Sequence, residues 1–169
     1  RGRNTPCKAN AMARLGMPFL PNKFELKKMR SSLANTFADK CGINSPARLA
    51  EVQRVLALAQ ASGLEWIRLV WCDVHGSLRG KTWVTSELAN AFSNGMGMVS
   101  TLMLKDTSDR TVYKVFEADV KNELPGFEGA SNMMMLPDPS TFKILPWTPN
   151  TGWLLCQPWF PNGEPVKYD

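Results

Sequence analysis

The sequence is poor in histidine and cysteine, with one histidine and four cysteines among 169 residues. These residues build many catalytic triads, zinc sites and disulfide frameworks. Catalytic triads that need histidine would all depend on His75. The cysteines, Cys7, Cys41, Cys72 and Cys156, are far apart and form no C-x-x-C pair. The sequence therefore indicates neither a zinc site nor a disulfide framework, and reduced thiols are the simplest interpretation.

Long apolar runs and nucleotide-binding signatures are also missing. No apolar stretch approaches the ~20 residues that a membrane-spanning helix needs, and the N-terminal residues lack the apolar centre of a signal peptide. The sequence has no P-loop, no G-x-G-x-x-G and no carboxylate cluster with the spacing of metal ligands. We therefore predict a cytoplasmic protein without a membrane partner, and no metal site in this chain.

Basic residues are concentrated near the N-terminus. Residues 1–30 hold eight Lys or Arg and one acid, whereas the remainder is slightly acidic although the net charge is +5. Residues 1–44 are predicted to be a basic tail, partly disordered and solvated. Such a tail can touch nucleic acid or a membrane. It lacks the interleaved aromatics and groove-binding pattern of nucleic-acid-binding segments, so no nucleic-acid partner is predicted.

Two segments have the signals of helices. The first covers residues 45–64: Ser45 can cap it, Pro46 suits the first helical position, and Gly63 can end it. The second covers residues 86–94 and ends at a glycine. The apolar faces that would pack on a sheet consist of Leu49, Val52, Leu56 and Ala59 in the first helix and Leu88, Ala91 and Phe92 in the second.

Residues 66–84 have the pattern of a β-hairpin. Apolar residues occupy both faces of the first strand, Trp66–Cys72, as in a strand inside a sheet. Residues 73–77 have the side chains of a turn, and Leu78–Val84 is the return strand. His75 lies in this turn without an identified nucleophile, so its predicted role is structural.

A proline-rich segment follows later in the chain. Met133–Leu136 is an apolar run of strand length. Pro137 and Pro139 restrict the next residues to turn or extended conformations, and Phe142–Leu145 is predicted to be a short second strand. From its residues alone, the segment is interpreted as a proline-rich connection between two core strands.

Residues 105–128 are predicted to be a long loop that carries function. They follow the apolar run Met96–Leu104 and are mostly polar, with few periodic apolar positions. Loops of more than about 15 residues inside compact domains are uncommon and are usually functional or disordered.

Two of these segments resemble the glutamine synthetase family. The proline-rich segment resembles the one that closes the N-terminal domain of glutamine synthetases, and it is followed by a predicted strand, Trp153–Gln157, and a turn at Gly163. The hairpin resembles the strand, Asp-x-x-Gly, Arg-Gly-Lys and strand that open this domain, particularly in relatives that ligate glutamate to larger amines. Asn132 stands where the family usually has Asp. The matching residues, predicted to be structural, are Asp73, Gly76, Arg79, Gly80, Lys81, Pro137, Asp138, Ser140 and Thr141.

The resemblance implies an α+β fold over residues 65–169, a β-grasp-like sheet with one or two packed helices. It also implies an ATP-dependent ligation in which glutamate is phosphorylated and an amine displaces phosphate, with Mg or Mn and a homo-oligomeric ring in the complete enzyme. The family's metal and nucleotide sites lie in a larger C-terminal domain. We therefore expect an N-terminal domain or fragment that is inactive and binds no cofactor alone. The alternative is a free-standing β-grasp binding or regulatory module.

In glutamine synthetases the region that matches the predicted loop carries Asp-Gly-Ser-Ser and then a mobile segment that reaches the neighbouring subunit's active site. Ser100 and Thr101 match the paired serines, whereas Val99 stands at about the place where the Asp belongs. An ammonium ion needs a nearby carboxylate to hold its charge and to help remove a proton. The resemblance therefore favours a larger amine. Asp106 or Asp109 could replace the missing carboxylate, or both could be solvated loop acids.

Overall fold

The computed structural model describes residues 35–116 and 124–167. Within them, no helix is long and apolar enough to cross a membrane. The helices are α1, Phe37–Lys40, α2, Pro46–Ala61, and α3, Leu88–Asn94. The strands are β1, Trp66–Cys72, β2, Leu78–Val84, β3, Met96–Val99, β4, Asn132–Pro137, β5, Lys143–Ile144, and β6, Thr151–Trp159.

The strands form one mixed sheet. Their order is β2-β1-β6-β4-β3, and β5 also pairs with β6. β1 and β6 run parallel, whereas the other pairs are antiparallel. Apolar side chains of α2, α3 and the sheet share one core. This arrangement confirms the predicted α+β fold with a β-grasp-like sheet.

Helix α2 begins where the sequence predicts. The Ser45 hydroxyl accepts a hydrogen bond from the Arg48 amide at 3.1 Å, and Pro46 lies in the first turn. The buried residues of the helix are Leu49, Val52, Val55 and Ala59. Leu56, which the sequence predicts on the buried side, is only half-buried, because Val55 takes the fully buried position.

Helix α3 and strand β3 meet at Gly95. Its φ of 71° lies in the left-handed region, and a Cβ atom there would approach the Met135 carbonyl oxygen to 2.9 Å. A glycine is therefore needed where the chain leaves the helix. The predicted apolar face of the helix is buried: Leu88, Ala91 and Phe92.

Three strands differ in length from the prediction, whereas the β1–β2 hairpin has the predicted bounds. β4 is one residue longer at each end than the predicted run 133–136. β5 is shorter than 142–145, because the Phe142 amide bonds to the Pro139 carbonyl within a 3₁₀ turn. β6 extends beyond 153–157 at both ends, because β1 and β5 flank its first half and β4 pairs with its second half. β4 and β5 thus lie one after the other along the same edge of β6.

The predicted basic tail is described only in part, since residues 1–34 lie outside the described ranges. The residues that follow form α1, capped by the Thr36 side chain. Lys40 Nζ donates to the Pro161 carbonyl at 2.8 Å, and the Phe37 amide donates to Asn94 Oδ1 at 3.4 Å. The end of the predicted tail is therefore folded against the domain. The proposed domain boundary at residue 65 stays a prediction.

Candidate functional site

The turn between β1 and β2 is built around Asp73. Its side chain is 3% exposed, and Oδ1 accepts hydrogen bonds from the amides of His75 at 3.0 Å and Ser77 at 2.9 Å. Asp side chains organise turns in this way. Gly76 has a φ of 76°, which favours glycine. The shape of this turn accounts for the Asp-x-x-Gly pattern.

Arg79 connects this turn to the loop after β3. Its Nε donates to Asp73 Oδ2 at 2.9 Å, and its Nη2 lies 3.4 Å from Asp109 Oδ1. Burial alone would raise the pKa of Asp73. The hydrogen bonds from the Ser77 amide, the Arg79 guanidinium and the His75 amide outweigh burial and hold that pKa below its ordinary value. Asp73 is therefore ionised at neutral pH and anchors Arg79.

Lys105 makes a second contact with Asp109. Its Nζ donates to the Asp109 carbonyl at 2.9 Å and lies 3.2 Å from Asp109 Oδ1, while its backbone forms a β-bridge with Thr111. The Asp109 side chain is 63% exposed and its φ is 61°. Two cations thus share one loop carboxylate, so Asp109 is neither a free nor a simply solvated acid.

The ring of His75 is the third link between the turn and the loop. Nε2 lies 2.7 Å from the Lys105 carbonyl oxygen. Because a carbonyl only accepts, the ring donates its Nε2 proton. We call these five residues, Asp73, His75, Arg79, Lys105 and Asp109, the turn–loop network. His75 has the structural position in the turn that the sequence predicts.

Asp106 forms hydrogen bonds within the loop itself. Its Oδ1 accepts hydrogen bonds from the amides of Ser108 at 2.8 Å and Arg110 at 3.0 Å, and its amide donates to the Arg110 carbonyl at 2.8 Å. Asp106 therefore shapes the loop that presents Asp109. Residues 117–123 of the predicted long loop lie outside the described ranges.

Ser100 and Thr101 lie in the 3₁₀ turn that follows β3. Ser100 is 0% exposed, its amide donates to the Ser131 carbonyl at 2.9 Å, and its hydroxyl has no hydrogen-bond partner among the described residues. Thr101 is half-buried. Neither side chain forms a hydrogen bond with the turn–loop network within the described ranges. A ligand could reach the Ser100 hydroxyl only after movement of the chain, and substrate binding by this pair stays a prediction.

Val99 and Asn132 are direct partners across β3 and β4. The resemblance to the family predicts an Asp at about the first of these positions and at the second, and both residues of this chain are uncharged. Val99 is 38% exposed. The two departures therefore form one local feature at the end of β3, and this end of the strand pair lacks a carboxylate at both positions.

Lys81 shows that the sheet is curled. β2 and β3 are at opposite ends of the strand order, yet Lys81 Nζ donates to the Gly97 carbonyl at 2.7 Å. The Arg-Gly-Lys motif thus contributes two cations with different contacts: Arg79 reaches the loop and Lys81 reaches β3. Together they hold β3 and the loop that follows it near the hairpin.

The proline-rich segment bonds to the backbone of β6 where no strand of the described residues pairs with that side of Leu155. The Asp138 amide donates to the Leu155 carbonyl at 2.8 Å, and the Thr141 hydroxyl accepts from the Leu155 amide at 3.0 Å and donates to the Asp138 carbonyl at 2.7 Å. Asp138 Oδ1 accepts from the Ser140 amide and hydroxyl at 2.9 and 2.7 Å. Pro137 ends β4, and its carbonyl accepts from Arg48 at 3.2 Å. These contacts are those of a structural segment.

The structure brings together one part of the predicted site. Asp73, Arg79 and Asp109 meet, whereas Ser100 and Asp106 form hydrogen bonds elsewhere. The Thr101 side chain forms no hydrogen bond with the described residues. Lys105 was missed by sequence reasoning, and its only local signal is its position four residues before Asp109. Within the described residues, no group of three or more His, Cys, Asp or Glu could hold a metal ion. Burial raises the pKa of the Cys156 thiol to about 12, so this thiol is unreactive.

Comparisons with known proteins find partial matches to larger enzymes. Over 115 residues, 66% of this chain, it is 37% identical to γ-glutamylanilide synthase from Acinetobacter sp. It is 30% identical over 118 residues to glutamine synthetase from Methanosarcina mazei, and 26% identical over 132 residues to human lengsin. These alignments cover 68% and 76% of this chain, respectively. No protein-family model matches the chain.

The matched part of the chain belongs to the glutamine synthetase family. Within this family it is closer to the γ-glutamyl-amine ligases than to the ammonia-using enzymes, with 37% identity against 28–30% for the glutamine synthetases. The chain spans only 22–24% of the length of these relatives. A solved GmaS–ADP complex matches 66% of the chain, which covers 21% of that structure, with 24% identity and a TM-score of 0.49.

Proposed function

We propose that this chain is the N-terminal part of an ATP-dependent ligase that joins glutamate to an amine through γ-glutamyl phosphate. Its loop 105–111 would serve the active site of the neighbouring subunit in a ring-shaped homo-oligomer. The observation that carries the proposal is the turn–loop network, in which the family motif Asp73 and Arg79 holds the loop carboxylate Asp109. The similarity to γ-glutamylanilide synthase supports the reaction class.

We propose further that the amine is larger than ammonia. Val99 and Asn132 leave the end of β3 without a carboxylate. Asp109 is a poor replacement, because Arg79 and Lys105 already neutralise it, and Asp106 Oδ1 is occupied by two amides. An amine held by apolar contacts depends less on a carboxylate than an ammonium ion does. The name of the relative, a synthase of an anilide, points to an aromatic amine.

In this proposal the chain positions its loop and does not hold the phosphate-transfer machinery. ATP and Mg or Mn would be bound in the complete enzyme, where they supply and neutralise the transferred phosphate. The described residues do not fit a metal ion, since they offer no group of three possible ligands. The contribution of this chain is therefore the fixed position of the turn–loop network.

The test uses the protein encoded by the complete reading frame that contains this sequence. ADP release is measured with ATP, Mg²⁺, glutamate and one amine at a time, and the γ-glutamyl amide is identified by mass spectrometry. Reactions without glutamate or without amine are the controls. ADP release that requires both substrates and yields the amide is expected. ADP release independent of glutamate, or no amide with any amine, would contradict the reaction class.

A further inference from the structure

A groove crosses the face of the sheet that is turned away from the core. Ile67, Leu69 and Trp71 of β1 belong to the core, so the alternate residue Arg68 points to the opposite face. Two adjoining cavities, of about 330 and about 550 Å³, lie on this face and share Arg68, Leu78 and Trp153. These volumes are in the range of small-molecule sites. We call the two cavities together the Trp153 groove.

A row of three side chains forms the centre of the Trp153 groove. Trp153 of β6 is opposite Arg68 of β1 on one side and opposite Lys143 of β5 on the other. Neighbouring strands are about 4.8 Å apart, so one indole lies between two cations. Trp147, which is 74% exposed, adds a second indole to the wall.

The charges of the Trp153 groove have one sign. No acidic residue is among those that line the two cavities, whereas four cations are: Arg68, Arg79, Lys81 and Lys143. Arg79 and Lys81 already bond to Asp73 and the Gly97 carbonyl. The side chains of Arg68 and Lys143 make no hydrogen bond or ion pair with any residue in the described ranges. The groove thus has two available cations beside an aromatic surface.

We propose that the Trp153 groove binds a flat aromatic carboxylate. The ring would lie against Trp153 and Trp147, because aromatic rings pack in offset or edge-on arrangements with large apolar contact. The carboxylate would be bound by Arg68, whose planar guanidinium can donate two parallel hydrogen bonds, and by Lys143. This proposal rests on the geometry of the sheet and does not depend on the ligase reaction.

The experiment titrates the full chain with 2-naphthoate and with 2-naphthamide, which has the same ring without the charge. Calorimetry gives the affinities, and the indole N–H resonances of Trp147 and Trp153 locate the ligand. We expect naphthoate to bind at least about fivefold more tightly than naphthamide, as charge-assisted hydrogen bonds require. Arg68→Gln is expected to remove this preference, and Lys143→Gln to reduce it. Arg54→Gln, which changes an exposed arginine of α2 paired with Glu51, is the matched control.

Three results would overturn the proposal. The first is equal affinity for naphthoate and naphthamide, and the second is an equal effect of Arg68→Gln and Arg54→Gln. The third is a Trp153 resonance that does not respond because a second copy of the chain covers the groove, which sedimentation would detect as a dimer. Arg68 and Lys143 are both exposed, so circular dichroism is expected to show a folded chain for each variant. Two independent variants keep the test decisive if one of them fails to fold.

Discussion

At the scale of single residues, Asp73 organises the candidate site. One buried carboxylate accepts hydrogen bonds from two amides and from Arg79, and these contacts lower its pKa in the folded state. A carboxyl group with a lowered folded-state pKa stabilises the fold fully above its unfolded value of about 3.9. That contribution is lost as the pH falls through the lower folded-state value.

Asp73→Asn is therefore expected to destabilise the chain at pH 7 and to have a smaller effect at pH 3. The measurement is the free energy of unfolding in urea for both proteins at both pH values. Asp39→Asn, at an exposed position of α1, is the control. A difference between wild type and Asp73→Asn that stayed constant from pH 7 to pH 3 would show that ionised Asp73 does not stabilise the turn.

Thr141 is a second residue with a defined role, since its hydroxyl bonds to the Leu155 amide and the Asp138 carbonyl. Thr141→Val leaves that amide without its partner, so the free energy of unfolding is expected to fall by roughly 1–3 kcal/mol. Thr148→Val is the control, because Thr148 is also half-buried and its hydroxyl makes no hydrogen bond with the described residues. Equal effects of the two substitutions in urea unfolding would refute the role of the Thr141 hydroxyl.

At the scale of elements, the turn–loop network joins the β1–β2 turn to the loop 105–111. Arg79→Met removes both of its ion pairs and is expected to raise the rate of tryptic cleavage after Arg110 by about tenfold, because less constrained loops are cleaved faster. Arg54→Met, which breaks only the Glu51 pair on α2, is the control. Cleavage at an unchanged rate would mean that the loop is held without Arg79.

Local signals predicted the elements well, and they could not predict how the elements meet. The Ser45 cap, the hairpin turn and the strand before Pro137 depend on neighbours in sequence, so their patterns are visible there. The pairing of Arg79 with Asp109, the pairing of Val99 with Asn132 and the reach of Thr141 to Leu155 depend on the curl and register of the sheet. The predicted length of β5 was too great, because the Phe142 amide bonds within the 3₁₀ turn and not in the strand.

At the scale of the whole molecule, we propose that the chain is one part of a ligase and that its amine preference is set near Val99. In the protein from the complete reading frame, Val99→Asp is expected to raise kcat/KM for ammonia relative to aniline by about tenfold, because a carboxylate stabilises an ammonium ion. Val112→Asp, at another exposed valine just after the loop 105–111, is the control. A similar change in both variants would attribute the effect to net charge alone.

The most direct measurement compares kcat/KM for ammonia, ethylamine, putrescine and aniline in the unmodified protein from the complete reading frame. The uncharged Val99–Asn132 pair and the neutralised Asp109 predict that aniline, which is uncharged at neutral pH, is favoured over ammonia by at least about tenfold. A clear preference for ammonia would contradict the proposed amine class.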